Sequence, residues 1–250
     1  MGLQHMKIYL FDDSFIISGA NLSRDYFTNR QDRYMKFSNC PQLADFMATL
    51  VETVSSFSFK ARANCSTESP VAAKNPLTSK RASKAFSTTF RSVMAGLTSP
   101  STPSAQEGQS DAIVTRRILA QLREEEKLFL TSGYFNLPPE YIQAILSSKG
   151  QCSVLGASPQ ANGFYGEFLE SIMKHGCEGR VKYSEYFRNG WTFHGKGLWY
   201  YLAQDNLPSL TLVGSSNYGH RSLTRDLEVQ LAVVTENAGL RHALHKVIYV

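Results

Sequence analysis

His5–Leu22, "HMKIYLFDDSFIISGANL", sets a histidine and a lysine two residues apart at the head of an apolar run, then Asp12, then Gly19-Ala20-Asn21. A segment this rich in Ile, Phe and Tyr has the composition of buried strands, and a break at Asp12-Asp13-Ser14 divides it into two. Ionisable groups are costly to bury unless they are used. On an extended backbone residues i and i+2 point the same way, so His5 and Lys7 would enter one pocket together.

A second stretch repeats the pattern. His194–Asn217, "HGKGLWYYLAQDNLPSLTLVGSSN", has His-x-Lys, a turn, and a returning run that ends in Gly214, Ser215 and Asn217. Aligning Asn21 with Asn217 sets "NLSRDYFTNRQD" over "NYGHRSLTRDLE". Asp32 and Glu228 then both fall eleven residues after the asparagine, and Thr28 lies over Thr224. One His-x-Lys arises easily by chance; two with three further shared landmarks indicate a duplicated half-site.

If the halves face each other, the pocket holds two imidazoles, two ammonium groups and two amides, an inventory that suits a phosphoryl group. Phosphodiester exchange needs a nucleophile, an acid for the leaving oxygen, and fixed positive charge around the five-coordinate phosphorus. Histidine serves either of the first two roles because its ordinary pKa is about 6.5. Lys7, Lys196, Asn21, Asn217 and Ser215 would hold phosphoryl oxygens or support the site. Asp32 and Glu228 would bond the far ring nitrogens and fix their tautomers. The sequence does not say which histidine attacks. No metal or other cofactor is called for, ATP included.

Composition bounds the alternatives. The 250 residues, 42% hydrophobic and 12% aromatic, suit a globular protein. No apolar run reaches the ~18–20 residues of a membrane span. Cys40, Cys65, Cys152 and Cys177 lie far apart without a C-x-x-C pair, which argues for reduced thiols rather than a disulfide framework or zinc site. The net charge of +5 favours an anionic partner. Much of it lies in Phe57–Ser104, where Lys60, Arg62, Lys74, Lys80, Arg81, Lys84 and Arg91 face one acid, Glu68, amid serine, threonine and proline. Residues 57–111 are therefore expected to be a basic, Ser/Thr-rich linker or insertion without fixed structure.

Around it the pattern is ordered. Residues 32–38 read as a strand. Pro41 opens a helix whose Leu43, Phe46, Met47, Leu50, Val51 and Val54 share one face. Residues 112–126 read as a helix ending in Glu124-Glu125-Glu126, "KLFLTSGYF" as a buried strand, and Pro138-Pro139 as the start of a helix that Gly150 stops. "CSVLGAS" and "RVKYSEYF" read as strands around a helix at 164–174. A hairpin, a final strand in "LEVQLAVVTE" and a helix at 238–248 complete the chain. Alternating strands and helices predict an α/β fold with a mixed sheet flanked by helices. The expected domains are 1–56, a first His-x-Lys half; 57–111, the insertion; and 112–250, a second half with His194.

His5, Lys7, Asp12, Gly19 and Asn21, with His194, Lys196, Gly214, Ser215 and Asn217, resemble the paired His-x-Lys-x(4)-Asp motifs of the phospholipase D superfamily. Within it, "YFTNRQDRY", "SGYFNL", "ASPQANGF" and "GWTFHGKGLW" are similar to the eukaryotic CDP-diacylglycerol–glycerol-3-phosphate 3-phosphatidyltransferase family, over about 1–56 and 112–245. The resemblance implies a phospholipase D-like fold with pseudo-twofold half-sites, the first incomplete, in a chain truncated at both ends. It implies a mitochondrial, peripheral inner-membrane enzyme of phosphatidylglycerol and cardiolipin biosynthesis. Such an enzyme forms a phosphatidyl-histidine from CDP-diacylglycerol, releases CMP and transfers the phosphatidyl group to glycerol 3-phosphate. By that analogy His5 is the nucleophile, His194 the acid and then base, and Lys7, Lys196 and Asp12 complete the catalytic set. The implied partners are the two substrates and an anionic membrane surface, not nucleic acid; oligomeric state is left open. Tyr201 stands where the second motif would carry aspartate, a position at which this family also lacks the acid.

Three substrate contacts are weighed against plainer roles. Asn136 either meets substrate or caps a turn. Trp191 lies against the cytosine ring, the bilayer interface or the core. Arg221 receives a phosphate or makes a surface ion pair. Two rival functions remain: a hydrolytic phospholipase or nuclease of the same superfamily, and a non-catalytic truncated product.

Overall fold

The computed structural model describes residues 3–68, 84–89, 92, 110–134, 136–161 and 179–249. Its centre is a six-stranded sheet built from β7 (Lys127–Ser132), β8 (Gln151–Ala157), β9 (Val181–Tyr186), β11 (Gly197–Tyr201), β12 (Leu210–Gly214) and β13 (Gln230–Val234), in the order β13-β12-β11-β7-β8-β9. β7, β8 and β9 run parallel, while β11, β12 and β13 pair antiparallel. This is the mixed sheet expected, including the hairpin from "GLWYY" to "LTLVG".

Helices α2 (Ser110–Ala120) and α3 (Pro139–Ser147) cover one face. Leu119, Tyr141, Ala144 and Ile145 from the helices pack there with Leu128, Leu130, Val154, Leu198 and Leu212 from the strands in one buried cluster. Strand alternation sends the next residues to the other face, where Trp199 and Tyr201 pack with Phe129, Met35 and Leu244 of α5 (Ala238–Lys246). A cavity of about 310 Å³ lies beside that cluster, walled by Phe129, Leu155, Phe193 and Trp199 and also by Asp32 and Lys196. Tyr201, the missing acid of the second motif, is a packing residue whose hydroxyl meets His245 Nδ1 at 2.8 Å.

The first half contributes β1 (Ile8–Phe11), β2 (Ser14–Ser18) and β4 (Tyr34–Phe37), in the order β1-β2-β4. A two-residue parallel pairing joins β3 (Arg30–Gln31) to β10 (Thr192–Phe193), with Thr192 opposite Arg30 and Phe193 opposite Gln31. That small ladder brings Asp32 beside His194.

The chain divides into two compact units, each drawn from separate stretches of sequence. One comprises Met1–Ile8, Ile16–Met35 and Asp111–Val250; the other comprises Tyr9–Phe15 and Lys36–Ser110. Both His-x-Lys motifs fall in the first. In the second, α1 (Pro41–Ser55) buries Ala44, Met47, Leu50 and Thr53, while Val51, expected on that apolar face, is exposed. Phe15 stacks on Phe37 at 4.8 Å.

Four further differences have local causes. The helix expected over 112–126 ends at Ala120, because Glu125 takes a left-handed backbone (φ 68°) and Glu126 turns inward to accept from the Arg123 amide at 2.7 Å and from the Tyr200 hydroxyl. In the insertion, expected to lack fixed structure, Lys60–Ala61 and Thr67–Glu68 pair as a small hairpin with Arg62 and Glu68 3.1 Å apart. The helix expected at 164–174 lies outside the described residues. Cys40, Cys65 and Cys152 are free thiols, and burial pushes Cys152 up to about 12.

Candidate active site

Neither His-x-Lys motif lies within a strand; each occupies an extended gap beside one. Before β1, Gln4 bridges Leu227, and the His5 amide donates to the Leu227 carbonyl at 2.9 Å. Between β10 and β11, the His194 amide donates to the Gln31 carbonyl at 2.8 Å. The extended backbone keeps the i, i+2 alignment all the same. Lys196 Nζ reaches His194 Nδ1 at 2.7 Å and the His194 carbonyl at 2.8 Å, and Lys7 Nζ donates to the His5 carbonyl at 2.5 Å.

Each ring is held by the carboxylate of the opposite half. His5 Nδ1 lies 2.9 Å from Glu228 Oε2. His194 Nδ1 lies 2.7 Å from Asp32 Oδ2, and that carboxylate is wholly buried. Ser215 Oγ donates to Glu228 Oε2 at 2.6 Å and fixes the carboxylate from behind. The eleven-residue offset therefore leads to two crossed His–carboxylate pairs. The duplication is visible in smaller detail too: Thr28 and Thr224, matched in the alignment, each donate a hydroxyl to the carbonyl four residues back, Arg24 and His220.

The charges of the two half-sites act on one another. Burial lowers Lys7 to about 8, against the opposing pull of Glu228 and Asp32. Burial likewise lowers Lys196 to about 8, with Asp32 and Glu228 pulling up and Lys7 pushing down. Each ammonium thus feels the carboxylates of both halves, and the two lysines feel each other. His194 falls to about 4, chiefly through burial; Asp32 opposes the shift and Lys196 adds to it. Burial alone would raise Glu228, but the bonds from His5 and Ser215 outweigh it and hold the carboxyl below its ordinary value.

Gly19 has a steric reason. A Cβ there would lie 2.6 Å from Lys196 Cδ and 2.7 Å from its Nζ, so the lysine runs directly over the glycine backbone. The asparagines differ. Asn21 is exposed and its amide reaches the Tyr26 hydroxyl at 3.5 Å. Asn217 Oδ1 is buried and has no hydrogen-bond partner among the described residues.

Other expected residues stand apart. Asp12 is exposed in the β1–β2 turn with φ 47°, a conformation that aspartate tolerates. Arg221, itself exposed, pairs at 3.1 Å with Asp226, whose side chain is largely buried and also accepts from the Leu3 amide at 2.9 Å. Arg221 therefore helps to fasten the segment leading to His5, the plainer of its two readings. Asn136 is exposed with its side-chain oxygen close over Gly219, and Trp191 is half-buried under the Arg188 guanidinium at 3.8 Å. Among the described residues, no group of three or more His, Cys, Asp or Glu is gathered to hold a metal.

Two further residues at the site, Tyr26 and Asp111, carry no mark in the sequence, whereas Tyr134 lies within the quoted "SGYFNL". The Tyr26 hydroxyl lies 3.2 Å from His194 Nδ1, with its ring edge-on to the imidazole, and Tyr134 also stands edge-on at 5.5 Å. Behind Glu228, Asp111 is raised to about 6, mainly by burial, and accepts from Gln230 at 2.7 Å.

The mixed sheet flanked by helices has a phospholipase D-like fold. The structure matches that of a phosphatidylserine synthase from Haemophilus influenzae with a TM-score of 0.67 and 19% identity, covering 98% of this chain and 61% of that one. In sequence the chain is a relative of the CDP-diacylglycerol–glycerol-3-phosphate 3-phosphatidyltransferases. It is 37% identical to the human mitochondrial enzyme of that name over 98% of its own length, and 32% identical to the Dictyostelium discoideum protein given as its probable counterpart. The chain spans about half the length of these curated relatives. No protein-family model matches it.

Proposed function

We propose that the chain carries the phosphatidyl-transfer site of a phosphatidylglycerophosphate synthase, acting on CDP-diacylglycerol and glycerol 3-phosphate in mitochondria, in peripheral contact with an anionic membrane. The observation that carries this reading is the crossed pairing His5–Glu228 and His194–Asp32 around two buried lysines. The relatives' names supply the substrates.

In this reading His5 Nε2 attacks the phosphatidyl phosphorus while Glu228 holds Nδ1. The bond from phosphorus to the CMP oxygen breaks, and His194 gives that oxygen its proton. The 1-hydroxyl of glycerol 3-phosphate then attacks the phosphatidyl-histidine; His194 takes the hydroxyl proton and His5 leaves. Lys7 and Lys196 neutralise the phosphoryl oxygens, and the Asn217 amide donates a hydrogen bond to them. Burial favours a neutral His194 in the empty site, so the negative charge of the bound diphosphate must draw a proton onto it before it acts as an acid.

The test is CMP release from CDP-diacylglycerol with and without glycerol 3-phosphate. Release beyond one CMP per enzyme that requires the acceptor, with phosphatidylglycerophosphate as product, supports the proposal. Release at the same rate without acceptor identifies a hydrolytic phosphodiesterase instead.

A further inference from the structure

We infer that two loops beside His194, residues 22–30 and 187–192, form the surface by which the protein lies on an anionic lipid bilayer. This rests on the phosphatidyl-transfer reading, because that substrate's phosphorus sits at a membrane surface.

Large apolar side chains on loops are normally turned inward. Here Leu22, Phe27 and Phe187 are 77%, 68% and 63% exposed. Arg24 and Arg188 stand exposed among them, and the one exposed acid in either loop, Asp25, is paired with Arg30 at 3.5 Å. Apolar tips flanked by arginine suit an interface in which the tips enter the acyl boundary and the cations meet lipid phosphates.

The loops are fastened together. Asn29 Nδ2 donates to the Gly190 carbonyl at 2.9 Å, the Thr192 amide donates to the Asn29 carbonyl at 2.9 Å, and Arg30 Nε donates to Thr192 Oγ1 at 3.0 Å. Arg188 lies over Trp191. The surface also adjoins the chemistry: Tyr26, between Arg24 and Phe27, has its hydroxyl on the His194 ring. A lipid held at the edge of this joined surface would bring its phosphodiester toward that ring without leaving the bilayer.

The experiment is co-sedimentation with phosphatidylcholine vesicles, with and without phosphatidylglycerol, together with tryptophan emission. Trp191 lies in the surface and Trp199 is buried, so a blue shift on adding vesicles reports the loop. The chain should bind the phosphatidylglycerol-containing vesicles with a blue shift and bind the neutral ones weakly. The double variant Phe27→Ser, Phe187→Ser should lose roughly tenfold or more of that binding, and Arg24→Glu a smaller part. Both should keep the wild-type melting temperature and the wild-type rate of CMP release from detergent-dispersed substrate. Absent binding, equal binding to both vesicle types, or a double variant that binds as wild type would overturn the surface. If the wild-type chain binds vesicles but releases no CMP from dispersed substrate, the transferase reading fails instead.

Discussion

His5 Nδ1 lies 2.9 Å from Glu228 Oε2, so the ring of one motif is oriented by an acid that follows the other motif, and His194 with Asp32 returns the arrangement. Removing the carboxylate charge while keeping its shape tests the coupling. Glu228→Gln and Asp32→Asn should each lower turnover by roughly 10²–10⁴-fold, the range for a positioned acid or base that loses its orienting partner. The pairing is tested directly by combination: His5→Ala with Glu228→Gln should be no slower than His5→Ala alone. Independent, multiplying losses in CMP release would break the assignment.

The two histidines should separate by labelling. His5→Ala and His194→Ala should each abolish nearly all turnover. With CDP-diacylglycerol and no acceptor, the wild type should accumulate a phosphatidyl group on one peptide, which mass spectrometry after proteolysis locates. The expected peptide contains His5. A label on His194 would reverse the roles, an outcome its neutral ring would accommodate.

Local pattern carried most of the elements and the identity of the charged site. The His-x-Lys spacing and the eleven-residue offset name His5, Lys7, His194, Lys196, Asp32 and Glu228, and the structure gathers all six. The offset does not reveal that the acids cross over. That depends on Gln4 bridging Leu227 and Thr192 pairing with Arg30, contacts that join residues more than 160 positions apart. Tyr26 was invisible for the same reason, since a tyrosine in a polar loop has no periodic partner until β3 and β10 set it against His194. Asp12 has a local reason besides its place in the motif, since a tight turn between two strands needs a residue that accepts a positive φ. The acidic run at Glu124–Glu126 fits a helix end by composition, yet Glu126 is worth more inside, capping its own turn.

Gly19→Ala adds one methyl group where Lys196 already lies, at 2.6 Å. Lys196 cannot swing aside freely, because its ammonium is buried against His194 and near Asp32. Overpacking of this kind costs about 1–3 kcal/mol, and a misplacement of about 1 Å at a reacting centre can cost about 10²-fold in rate. The variant should therefore melt lower and release CMP far more slowly. A variant with wild-type rate and melting temperature would mean that the lysine does not run over this glycine.

Acid should destabilise the protein through His194. Its folded pKa of about 4 lies below the ordinary 6.5, so the folded chain favours the neutral ring. Above pH 6.5 both states are neutral and the contribution is complete. As pH falls from 6.5 toward 4, the unfolded chain takes up a proton that the folded chain does not, and stability is lost, by on the order of 3 kcal/mol for a shift of this size. Asp111 acts the other way in the same window. Its carboxyl, raised to about 6, binds a proton in the folded state first, and that contribution grows as pH falls. Melting curves of the wild type and His194→Asn from pH 7.5 to 4.5 separate the two, because Asp111 is common to both. The wild type should lose stability relative to the variant on acidification. In NMR, the imidazole signals missing from the variant should show no titration above about pH 5. A His194 resonance that titrates near 6.5 would mean that burial does not keep the ring neutral, because water or the Asp32 carboxylate offsets it.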